Sequence, residues 1–284
     1  MSGIVDLPDG RSSHLFSLMN FIKAHAFGND FLLLDQSAVP PGCDQPALAR
    51  AVCDRHRGLG ADGLMIFTSQ PARGRGSMRL LNADGSASEI SGNGLRCLAA
   101  WIAHAGGQSH IEIETDAGLK QLSLLERDGP RFTFRAAMGE PTAIALETIQ
   151  VQGTPVEAVT LRVGNPQCVV LGEVTTARLH TLASALAVHP RFPEGTNVEL
   201  AAVEAPDRVR ILIWERGVGP TEASGTGACA AAVAAIRFGG ASREVDIHSP
   251  GGTQRVAWRD DGLYLTGWAE IVAEVEWLGS GSSA

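Results

Sequence analysis

Two short segments of this chain carry residue types that hold charge and move protons: Ser91-Gly92-Asn93-Gly94 and Ser224-Gly225-Thr226-Gly227. Each is followed by small apolar residues that read as a helix, Leu95 to Ile102 and Ala228 to Ile236. Glycines just before a helix let the backbone bend and leave the first-turn amides unobstructed. Those amides, with the helix dipole, attract an anion. One such loop is a common turn. Two of them predict a duplicated architecture in which two helix starts grip one substrate. Further polar residues sit beside glycines: Gly28-Asn29-Asp30, Gly60-Ala61-Asp62-Gly63, Asn82-Ala83-Asp84-Gly85, Gly164-Asn165-Pro166, Thr196-Asn197 and Glu215-Arg216-Gly217. Each alone is an ordinary turn sequence. Together they offer many amides beside the Arg216 guanidinium. That mixture suits a small zwitterion, with backbone amides and Arg216 for carboxylates and with Asn oxygens and Glu215 for ammonium groups. A phosphate would also favour helix starts, but the P-loop signature is absent. The run Gly58 to Gly63 matches a dinucleotide fingerprint only superficially.

The elements that must position these groups are mostly strands. Short β-type runs fall at Phe31–Leu34, Leu64–Phe67, Met78–Leu81, Ile111–Thr115, Arg131–Ala136, Thr160–Val163, Cys168–Leu171, Val209–Trp214, Glu244–His248, Gln254–Trp258, Leu263–Thr266 and Ala269–Trp277. Helices are expected at Gln45–His56, Leu95–His104, Ala177–Ala187 and Ala228–Phe238. In each half, strands lead into a glycine loop and a small-residue helix, and more strands follow. The second and fourth helices have almost no polar face, and a helix apolar all round belongs inside a protein. Two buried helices, each wrapped by strands, fit an α/β fold of two similar domains better than a doubly wound parallel sheet. The boundary is expected near Met138-Gly139-Glu140-Pro141. Residues 1–19 read as a leader and 279–284 as a flexible tail.

With 284 residues and 44% hydrophobic content, the chain has ample material for a core. A net charge of −8 and the lack of a basic run exclude a nucleic-acid surface, and sparse aromatics argue against single-strand stacking. No stretch has the roughly 18 apolar residues of a membrane span. Cys43, Cys53, Cys97, Cys168 and Cys229 are dispersed without CxxC pairs, which suits reduced thiols in a cytoplasm and neither a disulfide framework nor a metal site.

The segments FIKAHAFGNDFLLLD (21–35), DRHRGLGADGL (54–64), LNADGSASEISGNGLRC (81–97), VGNPQCV (163–169), TNVE (196–199) and WERGVGPTEASGTGACAA (214–231) resemble the diaminopimelate epimerase family, in order along nearly the whole chain. The resemblance implies two pseudo-symmetric α/β domains, each a strand-wrapped central helix. The final strand would return to the first, giving halves 20–138 plus 267–278 and 139–266. It implies a cytoplasmic, homodimeric isomerase of lysine biosynthesis that interconverts LL- and meso-diaminopimelate without any cofactor. Its small amino-acid substrate would lie between the halves. Gly92, Asn93, Gly225 and Thr226 would hold the reacting carboxylate through backbone amides. Asn29, Asp62, Asn82, Asn165, Asn197, Glu215 and Arg216 would line the rest, with Arg216 forked on the distal carboxylate.

The family's acid–base pair is two cysteines, each just before its glycine loop; here the catalytic positions hold Ser91 and Ser224. Cys97 and Cys229 match other motif positions. A thiol titrates near ~8.5, lower at a helix N-terminus, whereas an alcohol does not ionise near neutrality. Three readings follow: an epimerase whose cysteines were replaced; a serine variant helped by another base; or a relative that binds without turnover or runs a one-base elimination or isomerisation. His25, Asp62 and Glu222 are the nearby candidates for a single base. Gln167 stands where the family has histidine, which bears on the substrate's distal end.

Overall fold

The computed structural model describes residues 19–88, 91–116 and 118–278. The expected tail and nearly all of the leader fall outside them. Met19, grouped above with the leader, is the first residue of a strand and stands opposite Trp277.

The strands of the first half of the chain are β1 (Met19–Ala26), β2 (Asn29–Asp35), β3 (Gly63–Gln70), β4 (Arg75–Asn82), β5 (Ala87–Ser88), β6 (His110–Thr115), β7 (Gly118–Asp128) and β8 (Arg131–Gly139). Those of the second are β9 (Thr142–Val151), β10 (Thr154–Val163), β11 (Asn165–Leu171), β12 (Asn197–Ala205), β13 (Arg208–Glu215), β14 (Gly219–Thr221), β15 (Glu244–Ser249), β16 (Gly252–Arg259) and β17 (Gly262–Trp277). One pairing pattern is written twice. The β1–β2 hairpin, the parallel β2–β3 pair, antiparallel β3–β4 and parallel β4–β6 recur as β10–β11, β11–β12, β12–β13 and β13–β15. β17 connects the two sets: its first part pairs with β16, and its last residues pair with β1. Most of its first half also pairs with β8.

Three longer helices accompany the strands: α1 (Gln45–Cys53), α2 (Gly92–Gly106) and α3 (Gly225–Phe238). Ser91 and Ser224 are the N-caps of α2 and α3, each accepting a bond from the amide three residues on. Gly107, left-handed at φ 67°, ends α2. α2 is wrapped by a core that includes Phe31, Met65, Leu80, Ile113, Phe132 and Phe134; α3 is wrapped by Leu161, Val169, Ile211, Ile247, Val256 and Leu265. Each such side chain contributes about 1.5–3 kcal/mol through burial. The run of alanines in α3 lets its surrounding strands come close on every side.

The expected helix Gln45–His56 stops at Cys53 because Asp54 turns extended and its carboxylate accepts from the His56 and Arg57 amides. The stretch Ala177–Ala187 is helical with a π turn at Leu179–Ala183, where the Ser184 hydroxyl bonds back to His180 O. Leu263–Thr266 and Ala269–Trp277 form one continuous strand. Strands β1, β5, β7, β9, β12 and β14 were absent from the sequence expectation. β7 and β9 are largely exposed and lack a clean alternation.

Candidate active site

The two glycine loops meet. A Cβ built on Gly92 would stand 3.5 Å from Gly225 Cα, and one on Gly225 would stand 3.5 Å from Gly92 Cα. With no side chain on either glycine, the two helix starts lie directly against one another. At the first positions of their helices, the amides of Gly92, Asn93, Gly225 and Thr226 have no carbonyl partner inside the helix. Both positive dipole ends therefore face one point.

Side chains bind the junction together. Asn93 Nδ2 donates to Asn29 Oδ1 and to Ala223 O, both at 3.2 Å, so a residue of α2 holds the loop that precedes α3. Asn29 Nδ2 in turn donates to Asp62 at 2.7 Å, and Asp62 also accepts from the Asp30 amide and from Arg55. Beneath them Asp30 is gripped by Lys23 and Arg55. Burial would raise the Asp30 carboxyl, but the bonds from Arg55 and Lys23 outweigh it and bring it down to about 2. Asp62, held by the Asp30 amide and Arg55, orients Asn29.

The capping serines differ in their surroundings. Ser91 Oγ accepts from the Gly94 amide at 3.1 Å. Ser224 Oγ accepts from the Gly227 amide at 3.2 Å and lies 3.5 Å from Thr226 Oγ1. Burial raises the half-buried Glu215 carboxyl above the ordinary range, while the nearby Ser224 hydroxyl lowers it. Ser224 and Asn93 are buried.

The remaining expected residues line the adjoining strands, and several are occupied locally. Asn82 ends β4 next to the Asp62 turn, and its Nδ2 donates to Ser86 within its own turn. Asn165 Oδ1 accepts from Gln167 Nε2 at 2.6 Å, and Gln167 stands opposite Asn197. Asn197 Oδ1 accepts from the Arg216 amide, which fixes the turn that carries Arg216. The Arg216 side chain is exposed and bonds Glu194 O. A cavity of about 450 Å³ flanks Pro166 and Gln167. His25 accepts from the Gly28 amide and packs edge-on to Trp268; the Glu222 carboxylate lies over Gly28.

A family profile for diaminopimelate epimerase matches residues 21–144 and 159–272. The chain belongs to the diaminopimelate epimerase family. It is 40% identical over 278 residues to the diaminopimelate epimerase of Desulforudis audaxviator, covering 92% of this chain and 99% of that one. It is 39% identical over 274 residues to that of Desulfitobacterium hafniense, covering 89% and 96%. Among solved structures, a hydroxyproline epimerase from Agrobacterium vitis with bound trans-4-hydroxy-L-proline shares the fold, with TM-score 0.67 and 17% identity over 92% of this chain and 91% of that one. So does a methylitaconate-delta-isomerase, at TM-score 0.59 and 13% identity over 94% and 98%. As a member of the diaminopimelate epimerase family, the chain is an isomerase of the epimerase class acting on a small molecule. No helix among the described residues is long and apolar enough to cross a membrane.

Three residues of this diaminopimelate epimerase family member stand at the junction unforeseen from sequence. Arg96 is fully buried and donates to Asn93 Oδ1 and Gln254 Oε1. Gln254 donates to Ser224 O. Glu199 is fully buried, with neither oxygen partnered among the described residues, against the first turn of α3. Glu199 lies within the TNVE motif, whereas a lone Arg in an apolar helix and a Gln in a strand carry no signal of their own.

Proposed function

We propose that this chain is a cofactor-independent epimerase of LL- and meso-diaminopimelate whose reacting carboxylate sits between the starts of α2 and α3. The observation that supports this best is the close approach of Gly92 and Gly225, where a Cβ built on either would stand 3.5 Å from the other's Cα. Four amides with no partner inside their helices, and two dipole ends, there stabilise the charge that develops on the carboxylate as the α-proton leaves. Ser91 and Ser224 flank the α-carbon as the two acid–base positions, one on each face. Asn29, Asn165, Asn197, Glu215 and Arg216 take up the amino groups and the distal carboxylate. The enzyme works in the cytoplasm as a homodimer, supplying lysine and cell-wall precursors.

Hydroxyls replace thiols at both positions, so inversion runs at least about a hundredfold below the cysteine form, the lower end of what positioned acid–base groups contribute. A second reading is favoured by the unequal burial of the two serines, Ser224 being buried and Ser91 only half-buried: a one-base isomerase or lyase that uses only the Ser224 face. The deciding measurement is exchange of the substrate α-proton in deuterium oxide. The expected outcome is binding of diaminopimelate by the native chain, with fast exchange and inversion only in S91C/S224C. Fast exchange of one stereoisomer, without inversion, by the native chain would replace this reading with the one-base alternative. Absence of diaminopimelate binding in both forms would overturn the substrate. Sedimentation of the purified chain tests the dimer.

A further inference from the structure

Among the described residues, Arg96 is a buried cation without a carboxylate partner. It is 1% exposed, in the first turns of α2, and its hydrogen-bond acceptors are two neutral amides, Asn93 Oδ1 at 2.5 Å and Gln254 Oε1 at 3.2 Å. Its guanidinium carbon lies 5.5 Å from the Phe27 ring centroid, and its Nε has no partner among the described residues. The ionisable groups that act on it are the Cys97 and Cys229 thiols. Burial pushes each of those up to about 12, so both are uncharged at neutral pH. Burial also draws the Arg96 guanidinium down, to about 10, which leaves it charged. A buried charge that is neither paired nor fully hydrogen-bonded is strongly unfavourable.

Its position explains why the fold keeps it. A Cβ on Gly225 would lie 3.9 Å from Arg96 Nη1, and one on Gly267 would lie 3.2 Å from Arg96 Cζ. The guanidinium is therefore pressed between the backbone of β17 and the glycine junction. Three positive features converge there: two helix starts and one full charge.

We propose that Arg96 is a positioning residue for the reaction, whose uncompensated charge is completed by the reacting carboxylate of the substrate. The inference rests on the reading above that this carboxylate sits between the helix starts, and it adds the cation behind them. Arg96 acts through Asn93, whose oxygen it holds so that Nδ2 can bridge Asn29 and Ala223, and through the field of its buried charge. When the α-proton passes to the base on one face, the C–H electron pair moves into a bond between the α-carbon and the carboxyl carbon. The carboxyl group then carries two negative charges. The opposite group returns a proton to the α-carbon, and the pair moves back. A cation beside the carboxylate favours the doubly charged state over the singly charged one.

The test compares R96Q, which keeps a donor towards Asn93 but removes the charge, with R96K, which keeps the charge. Q254E, which places a carboxylate against Arg96 and so neutralises it from within, is the third variant. Binding of oxalate and of meso-diaminopimelate to each otherwise native chain is read by calorimetry, and folding by thermal melting. R96Q and Q254E are expected to weaken oxalate at least tenfold and R96K less than threefold. In the S91C/S224C background, R96Q lowers kcat for proton exchange more than it raises KM. Equal weakening by R96Q and R96K, or oxalate binding unchanged in R96Q and Q254E, would overturn the inference. If R96Q does not fold, Q254E against the native chain decides alone. Charge-dependent oxalate binding without diaminopimelate binding would uphold Arg96 and sink the substrate assignment.

Discussion

Glu199 shows how a single residue can carry an energetic burden for the site. Its carboxyl is completely buried, both oxygens lack partners among the described residues, and a Cβ on Gly227 would stand 2.7 Å from its Oε1. Burial first, and then the nearby Glu215 charge, raise it well above the ordinary carboxylate range. Glu199 is therefore a neutral acid packed against the turn that Ser224 caps. The sign of its linkage is fixed by proton counting. Above about pH 4.5 the unfolded chain releases this proton while the folded chain keeps it, so the folded state binds more protons and stability falls as pH rises. E199Q mimics the protonated group and removes that dependence. Urea unfolding at about pH 5 and about pH 7 should show E199Q gaining on the native chain by up to roughly 1.4 kcal/mol per pH unit. A constant difference between the two pH values would mean that Glu199 is charged in the folded chain.

At the scale of elements, the glycines of the two loops do different work, and their variants separate stability from function. Gly227 sits where an added methyl would meet Glu199 Oε1 at 2.7 Å and Ser224 Cβ at 3.2 Å, so the buried Glu199 side chain must shift. G227A is expected to cost about 1–3 kcal/mol by overpacking, read by urea unfolding. Gly92 meets only Gly225 Cα, at the ordinary contact distance of 3.5 Å. G92A should unfold within about 1 kcal/mol of the native chain, since alanine favours a helix. Its methyl nevertheless fills the notch where the carboxylate would bind, so calorimetry should show diaminopimelate affinity falling at least tenfold. Undiminished affinity would place the carboxylate elsewhere. The two loops were legible in the sequence because glycines, a capping serine and an apolar helix are local signals. So were most central strands, whose apolar runs are short and bounded by turns. β7 and β9 were not, because exposed strands with mixed residues such as Leu119, Leu125 and Leu146 do not alternate cleanly. Arg96 was invisible for a different reason. Gln254 and Gly267, the residues that bury it with Phe27, lie far along the chain, and nothing local distinguishes it from an arginine on a helix surface.

For the whole molecule, the pairing pattern predicts how two similar halves unfold. We read residues 20–138 with 267–278 as one half and 139–266 as the other. β17 belongs to both, since it joins β16 through Gly262–Thr266 and β1 through Glu270–Trp277 without a break in the strand. Met138 packs against both central cores. Asn93 holds Ala223 O, and Arg96 holds Gln254, across the same boundary. Losing either half would strip hydrogen bonds and apolar cover from the other, so neither has a stable state of its own. Calorimetry should therefore give one transition, with the measured enthalpy equal to the van't Hoff enthalpy. N93A cuts the bond to Ala223 and leaves Arg96 short of an acceptor, which should lower the single midpoint without splitting it. Two resolved transitions in the native chain would show that β17 joins the halves without coupling them. The shared site at Gly92 and Gly225 would then need substrate to hold it together, and diaminopimelate would merge the two transitions into one.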